Sequence, residues 1–254
     1  MKKLIWFCCV YSIFAASYLK TNAQSMQNDI VAPIAKEVPK SLKKHKETRV
    51  DNYFWLNDRE NPEVIDYLNQ ENAYYESMTS HTKELQRDLY EEMKGRIKED
   101  DSSVPYFYNG YYYITRFETG QDYPIFARKK GSLAAEEEIL FNCNEMAKGH
   151  AYFKLGGLSI SPDNKFASFG VDIVGRRIYT IQIKNLETGE ILADKIENVT
   201  GASVWANDNN TIFYVRQDQV TLRADKVFKH KLNTESEKDV LVFDEVDDTF
   251  NVSI

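Results

Sequence analysis

Residues 158–190 read LSISPDNKFASFGVDIVGRRIYTIQIKNLETGE, and the order of strand, turn, strand, loop, strand and turn within them decides the fold class. Pro162 and Asp163 after Ser161 mark a turn, since proline pre-sets φ, cannot continue a central ladder, and Asp bonds its own backbone. Phe166, Ser168 and Gly170 alternate with Ala167, Phe169 and Val171, so neither face of that strand is purely polar. Tyr179, Ile181 and Ile183 alternate with Thr180, Gln182 and Lys184, the period-2 pattern of a half-buried strand. Leu186-Glu187-Thr188-Gly189 closes the pair.

The same grammar returns downstream. Trp205-Ala206-Asn207-Asp208 lies 45 residues after Ile160-Ser161-Pro162-Asp163, and Asn210 to Val215 replays Lys165 to Gly170. The run from Val227 to Thr234 replays the strand ending at Thr188, 46 residues on. Upstream, Gly110 to Ile114 and Tyr123 to Arg128 occupy the same roles about 55 residues earlier. A repeat of roughly 40–50 residues carrying four short strands is the signature of a β-propeller blade. An antiparallel sandwich with chance similarity between hairpins is the competing arrangement; recurrence of turn and strand in order at similar offsets favours the propeller.

The expected organisation is mainly β, an incomplete propeller preceded by a helical pair. Residues 1–23 have a positive start at Lys2-Lys3, an apolar stretch from Leu4 to Ala16, and small residues ending at Ala23, as in a cleaved secretory signal peptide. An uncleaved anchor is the alternative; bulky Trp6 and Phe7 before Cys8 argue against a lipoprotein signal. The reading places the mature protein in the periplasm or outside the cell, with no membrane attachment after cleavage. Residues 24–60 are expected as an extended strap, whose Tyr53-Phe54-Trp55 cluster anchors it or, alternatively, forms a ligand-binding aromatic box.

From Asn61 the pattern turns helical over 61–99. Asn61 suits a cap and Pro62 the first helical position, while Val64, Leu68, Tyr75 and Met78 recur at helical spacing. Leu85, Leu89, Met93 and Ile97 form a second stripe, predicting two antiparallel helices with one apolar face each. Glu99-Asp100-Asp101 reads as a solvated linker, with cation binding as the alternative. The partial propeller is expected over 104–254, with blades at about 104–145, 150–198 and 201–244. A strand begun at Asp248 would open a fourth. About three blades cannot close a ring, since propellers of four to eight blades close so that no edge is left open. The chain therefore reads as a fragment, with completion by another chain as the alternative.

Chemistry is harder to find. Net charge is −7 over 254 residues, so the basic footprint of a nucleic-acid binder is absent. Cys8 and Cys9 leave with the signal, stranding Cys143 beside Ile139-Leu140-Phe141 as an expected buried thiol. Gly201-Ala202-Ser203-Val204-Trp205 fails the GxSxG nucleophile pattern at its fifth position. His45, His81, His150 and His230 show no metal-ligand spacing, and His230 is expected on the wetter side of its strand. Gly156-Gly157 is no phosphate loop, and the sequons at Asn198 and Asn251 match a common pattern. No catalytic, metal or cofactor residue is assigned.

The runs RVDNYFWLNDRENPEVIDYLNQENAYYE (49–76) and LYEEMKGRIKEDDSSVPYFYNGYYYITRFETGQDYPIFARKKG (89–131) resemble the prolyl oligopeptidase family of serine peptidases, the second run its oligopeptidase B branch. Tyr152 to Gly156, Ser161-Pro162-Asp163, Tyr179-Thr180, Thr188-Gly189 and Trp205 to Asp208 continue the resemblance, which covers 45–254; Asn52 departs from the proline more usual there. The resemblance implies a seven-bladed propeller joined to a C-terminal α/β-hydrolase domain that is missing here. It also implies a Ser–Asp–His triad outside this chain, short peptides cut after Arg or Lys as substrates, and a propeller that caps the active site. By the same resemblance the helical pair would pack against the hydrolase domain. A stand-alone propeller-type binding module without catalysis is the competing function.

Overall fold

The computed structural model describes residues 31–254, so the expected signal peptide lies outside the described residues. Two compact units make up the chain, divided after Ile97.

In the first unit, the segment expected as an extended strap contains a hairpin, β1 (Lys40–Lys44) with β2 (Glu47–Asp51). Its two-residue turn, His45-Lys46, takes positive φ at both positions (52° and 68°), the twist-matched geometry of a tight hairpin reached here without glycine. The aromatic cluster anchors this segment. Trp55 Nε1 donates to the Lys36 carbonyl at 2.9 Å, and the Lys40 ammonium sits 3.6 Å from the Phe54 ring centroid. Helix α1 (Pro62–Thr79) follows, with Asn61 Oδ1 accepting from Glu63 N at 3.0 Å as the sequence predicts.

Helix α2 (Lys83–Gly95) does not fold back on α1 as an antiparallel partner. No glycine or proline breaks the chain between them, and Thr79, Ser80 and Thr82 turn their hydroxyls onto the carbonyls of Tyr75, Ser77 and Thr79. One tight 3-10 turn over Ser80–Thr82 joins the two helices. Of the α1 stripe, Val64 is buried while Leu68, Tyr75 and Met78 are exposed, and Leu85, Leu89, Met93 and Ile97 are exposed too.

The second unit is the partial propeller. Its first blade is a four-stranded antiparallel sheet of β3 (Tyr106–Tyr108), β4 (Tyr111–Arg116), β5 (Ile125–Lys130) and β6 (Glu137–Asn142), in sequence order. Next come β7 (Lys154–Ile160), β8 (Phe166–Asp172), β9 (Tyr179–Asn185) and the long β10 (Ile191–Trp205). These join β11 (Thr211–Gln217), β12 (Ala224–Lys231) and β13 (Val240–Asp244) in one seven-stranded order. Strand β10 belongs to two blades. Its first half pairs with β9, as in Ile191↔Lys184 and Val199↔Tyr179, and its second half with β11, as in Trp205↔Ile212. The change of partner falls at Asn198 (φ 64°) and Gly201 (φ 91°), where positive φ lets the chain step from one blade's outer edge to the next blade's inner edge.

Period 2 then sorts the blades. On β8 the odd residues Ala167 and Phe169 are buried in a cluster with Tyr113, Leu140 and Phe141 of the first blade. The even residues face the third blade: Ser203 Oγ donates to Ser168 Oγ at 2.7 Å, and the Phe166 ring stacks on Trp205 at 6.3 Å. Tyr179, Ile181 and Ile183 join Ile196, Val199, Ile212 and Tyr214 in the core of that second seam. Each fully buried isoleucine there contributes about 2 kcal/mol of apolar burial.

Asparagine and aspartate side chains hold the turns. Asp172, itself buried, accepts from the backbone of Val174, Gly175 and Arg177 at 2.8–2.9 Å, organising the loop after β8. Burial works to raise its carboxyl pKa, but those backbone donors outweigh it and hold the group below its ordinary value. Asp218, 46 residues on, does the same for Val220 N and Thr221 N. Beyond β13, residues 245–254 lie along the third blade, with Val252 N bonded to the Ala224 carbonyl and Arg223 donating to the carbonyls of Glu245, Asp247 and Phe250.

Candidate functional site: the seams between blades

The most concentrated chemistry lies inside the second seam, around His230. This histidine is fully buried, not on the wetter side of β12, because the even face of β12 packs against the preceding blade. Its Nε2 lies 2.9 Å from Asp194 Oδ1 on β10, and its Nδ1 lies 2.7 Å from Asp239 Oδ1 just before β13. Tyr214 donates its hydroxyl to Asp239 Oδ2 at 2.8 Å, and Asn233 N donates to Asp194 Oδ1 at 2.6 Å. Burial and the neighbouring Asp239 push the Tyr214 hydroxyl well above its ordinary pKa.

What this arrangement can do follows from its hydrogen bonds. Each ring nitrogen lies within hydrogen-bond reach of a carboxyl oxygen, so the imidazole bridges Asp194 and Asp239. A general base needs a free ring nitrogen facing a nucleophile's proton. His230 has neither, since both nitrogens are committed to carboxylates. The site is a clamp from the outer strand of the second blade to the third.

The first seam carries a counterpart. Lys184, 46 residues before His230, occupies the matching position on β9 and donates from Nζ to the Leu140 carbonyl of β6 at 2.7 Å. Its ammonium sits 5.0 Å from the Phe141 ring centroid. Burial lowers its pKa, partly offset by Glu138. Nearby, the buried Arg128 guanidinium is held by Glu138 at 2.7 and 2.9 Å.

The remaining candidates fall into structural roles. Cys143 is buried and its thiol is pushed up to about 11 by burial, which removes thiolate reactivity. Ser203 lies within β10, buried and bonded to Ser168. His45 sits in the β1–β2 turn, His81 in the turn between α1 and α2, and His150 in the connection before β7, all exposed. Asp101 pairs with Lys98, and Glu99 accepts from Gly120 N, so this acidic run fastens the entry to the first blade. Gly157 and Gly201 bring two backbones together at the bend of β10: a Cβ on Gly157 would meet the Gly201 carbonyl oxygen at 2.0 Å. Asn198 forms that bend. Among the described residues no cluster of His, Cys, Asp and Glu could hold a metal ion, and no helix is long and apolar enough to cross a membrane. Sequence reasoning missed Asp194, Asp239 and Asp172, whose side chains are buried only by the stacking of blades or the curl of a loop.

Comparison with known proteins matches this architecture. The family model described as "Prolyl oligopeptidase, N-terminal beta-propeller domain" matches residues 33–254. Dipeptidyl aminopeptidase BI of Pseudoxanthomonas mexicana is 40% identical over 227 residues, covering 83% of this chain and 31% of that protein. Protease 2 of Moraxella lacunata is 34% identical over 229 residues, covering 87% and 33%. The structure of oligopeptidase B from Leishmania major superposes with a TM-score of 0.80 at 32% identity, covering 88% of this chain and 34% of that one. The chain thus spans about a third of the length of the relatives it matches. With three successive blades, a bent strand shared by the second and third, and a family match over nearly all described residues, the chain belongs to the prolyl oligopeptidase family of serine peptidases, as its N-terminal propeller domain.

Proposed function

We propose that this chain is the propeller portion of an oligopeptidase B-like serine endopeptidase that cleaves short peptides after Arg or Lys. In this reading the propeller gates access to an α/β-hydrolase domain encoded on further sequence, and the Ser, Asp and His of the triad lie there. The serine attacks the scissile carbonyl, the histidine takes and returns its proton, the aspartate orients the imidazole, and backbone donors hold the oxyanion. The observation that carries the reading is the joint similarity to protease 2 and to an oligopeptidase B structure across most of this chain. A dipeptidyl aminopeptidase activity is the second reading, favoured by the 40% identity to a protein of that name. The segment 1–23 adds export to the periplasm or beyond, with cleavage near Ala23.

The test is expression of the protein from its whole gene, beside the 254-residue chain. The whole protein is expected to hydrolyse Arg- and Lys-derived amides and to lose that activity to a serine-directed inhibitor; the 254-residue chain is expected to show none. Release of dipeptides alone favours the second reading. A gene ending after Ile254 leaves a binding module. Export is checked by the N-terminus of purified protein: Gln24 supports it and a retained Met1 refutes it.

A further inference from the structure

Each blade turns from its innermost to its second strand through a tight turn containing an asparagine with positive φ: Asn109 (45°), Asn164 (63°) and Asn209 (56°). Asparagine tolerates this conformation better than other residues with a Cβ, which accounts for the backbone. It does not account for where the side chains go. Asn109 Nδ2 donates across the first seam to the Pro162 carbonyl at 2.6 Å, and Asn164 Nδ2 donates back to the Asn109 carbonyl at 3.2 Å. Across the second seam Asn209 Oδ1 accepts from Asp163 N at 2.8 Å. Arg128 adds 3.3 and 3.4 Å contacts from its guanidinium to the Asn164 carbonyl. Other asparagines of positive φ behave differently: Asn198 and Asn233 reach a neighbouring blade through backbone atoms, the carbonyl of one and the amide of the other.

We propose that Asn109, Asn164 and Asn209 form a turn-to-turn latch that sets the angle between successive blades along this rim. The seams are filled mainly with aromatic and aliphatic side chains, whose attraction is non-directional and tolerates small rocking of one sheet on the next, and the hydrogen bonds of Lys184, Ser203 and His230 cross them at single points on the strands. Hydrogen bonds have narrow angular and distance limits, so a pair placed at the turn selects one stagger out of that range. The two seams share the residue type at the turn and differ in its bonding: the first is fastened by amide donors in both directions, the second by one amide acceptor.

Amide hydrogen exchange in the full chain tests the latch, because Asp163 N is itself a latched donor. Asn209→Gly keeps positive φ accessible and removes the acceptor; it is expected to speed Asp163 exchange about fivefold or more, the scale of one net hydrogen bond. Asn209→Asp retains the acceptor and is expected to keep Asp163 protected. Asn109→Gly and Asn109→Asp both lose the donor and are expected to speed exchange at Asn164, across the seam. Asn233→Gly, whose link to Asp194 is made by the backbone, is expected to change neither amide. Unchanged exchange at Asp163 and Asn164, or changes confined to the mutated turn, overturns the proposal.

Discussion

The two seams of this propeller put different chemistry at the same place. On β9, Lys184 reaches back to a carbonyl and an aromatic ring of the first blade. On β12, 46 residues later, His230 reaches back to two buried carboxylates of and beside the second and third blades' outer strands. At this position of the repeat a nitrogen-bearing side chain crosses the seam in both cases, while its partner differs. The energetic consequence is unequal. A lysine on a carbonyl leaves a neutral acceptor behind when removed, whereas a histidine between two buried carboxyl groups leaves both short of a hydrogen-bond partner.

His230→Leu is the harshest test of that contrast. Each buried carboxyl group left short of a partner costs about 1–3 kcal/mol, so denaturant unfolding should show a loss of about 4 kcal/mol or a chain that no longer folds. An unchanged midpoint would mean that Asp194 and Asp239 do not depend on the imidazole. Gly170→Ala comes next. An added Cβ would meet the Gly201 Cα at 2.6 Å, a backbone atom that cannot swing aside, and overpacking of this kind costs about 2–3 kcal/mol. Because this contact exists only where β10 bends from blade to blade, a neutral result would show that the second seam is looser than its geometry implies. Lys184→Met should have the smallest effect, within about 1 kcal/mol, because the apolar stem keeps its packing and a desolvated charge is removed. Should it match the loss from His230→Leu, the contrast between the seams disappears.

Much of this was legible in the residues. The alternation of Tyr179, Ile181 and Ile183 marks those three as one buried face, as they are, and the turn from Ser161 to Lys165 closes as Pro162, Asp163 and Asn164 require. Asn61 caps the first helix. These succeed because each depends on neighbours within a few positions. The helical stripes mislead for the opposite reason: whether α2 folds back on α1 rests on the hydroxyl-rich turn between them, and Thr79, Ser80 and Thr82 satisfy helical carbonyls instead of ending the run. The burial of His230 escapes for a related cause, since Asp194 is 36 residues away and only blade stacking brings it near.

From its residues alone, then, this chain declares short strands, the turns between them, a period near 46 and its kinship, because period-2 burial and turn chemistry are local and repeat in order. The tertiary structure decides which face of each strand meets which blade, and so whether a histidine, a lysine or an asparagine becomes a fastening. At the second seam those outcomes depend on the bend of β10 at Asn198 and Gly201, which turns one blade onto the next and buries polar groups against partners 35 and 36 residues away.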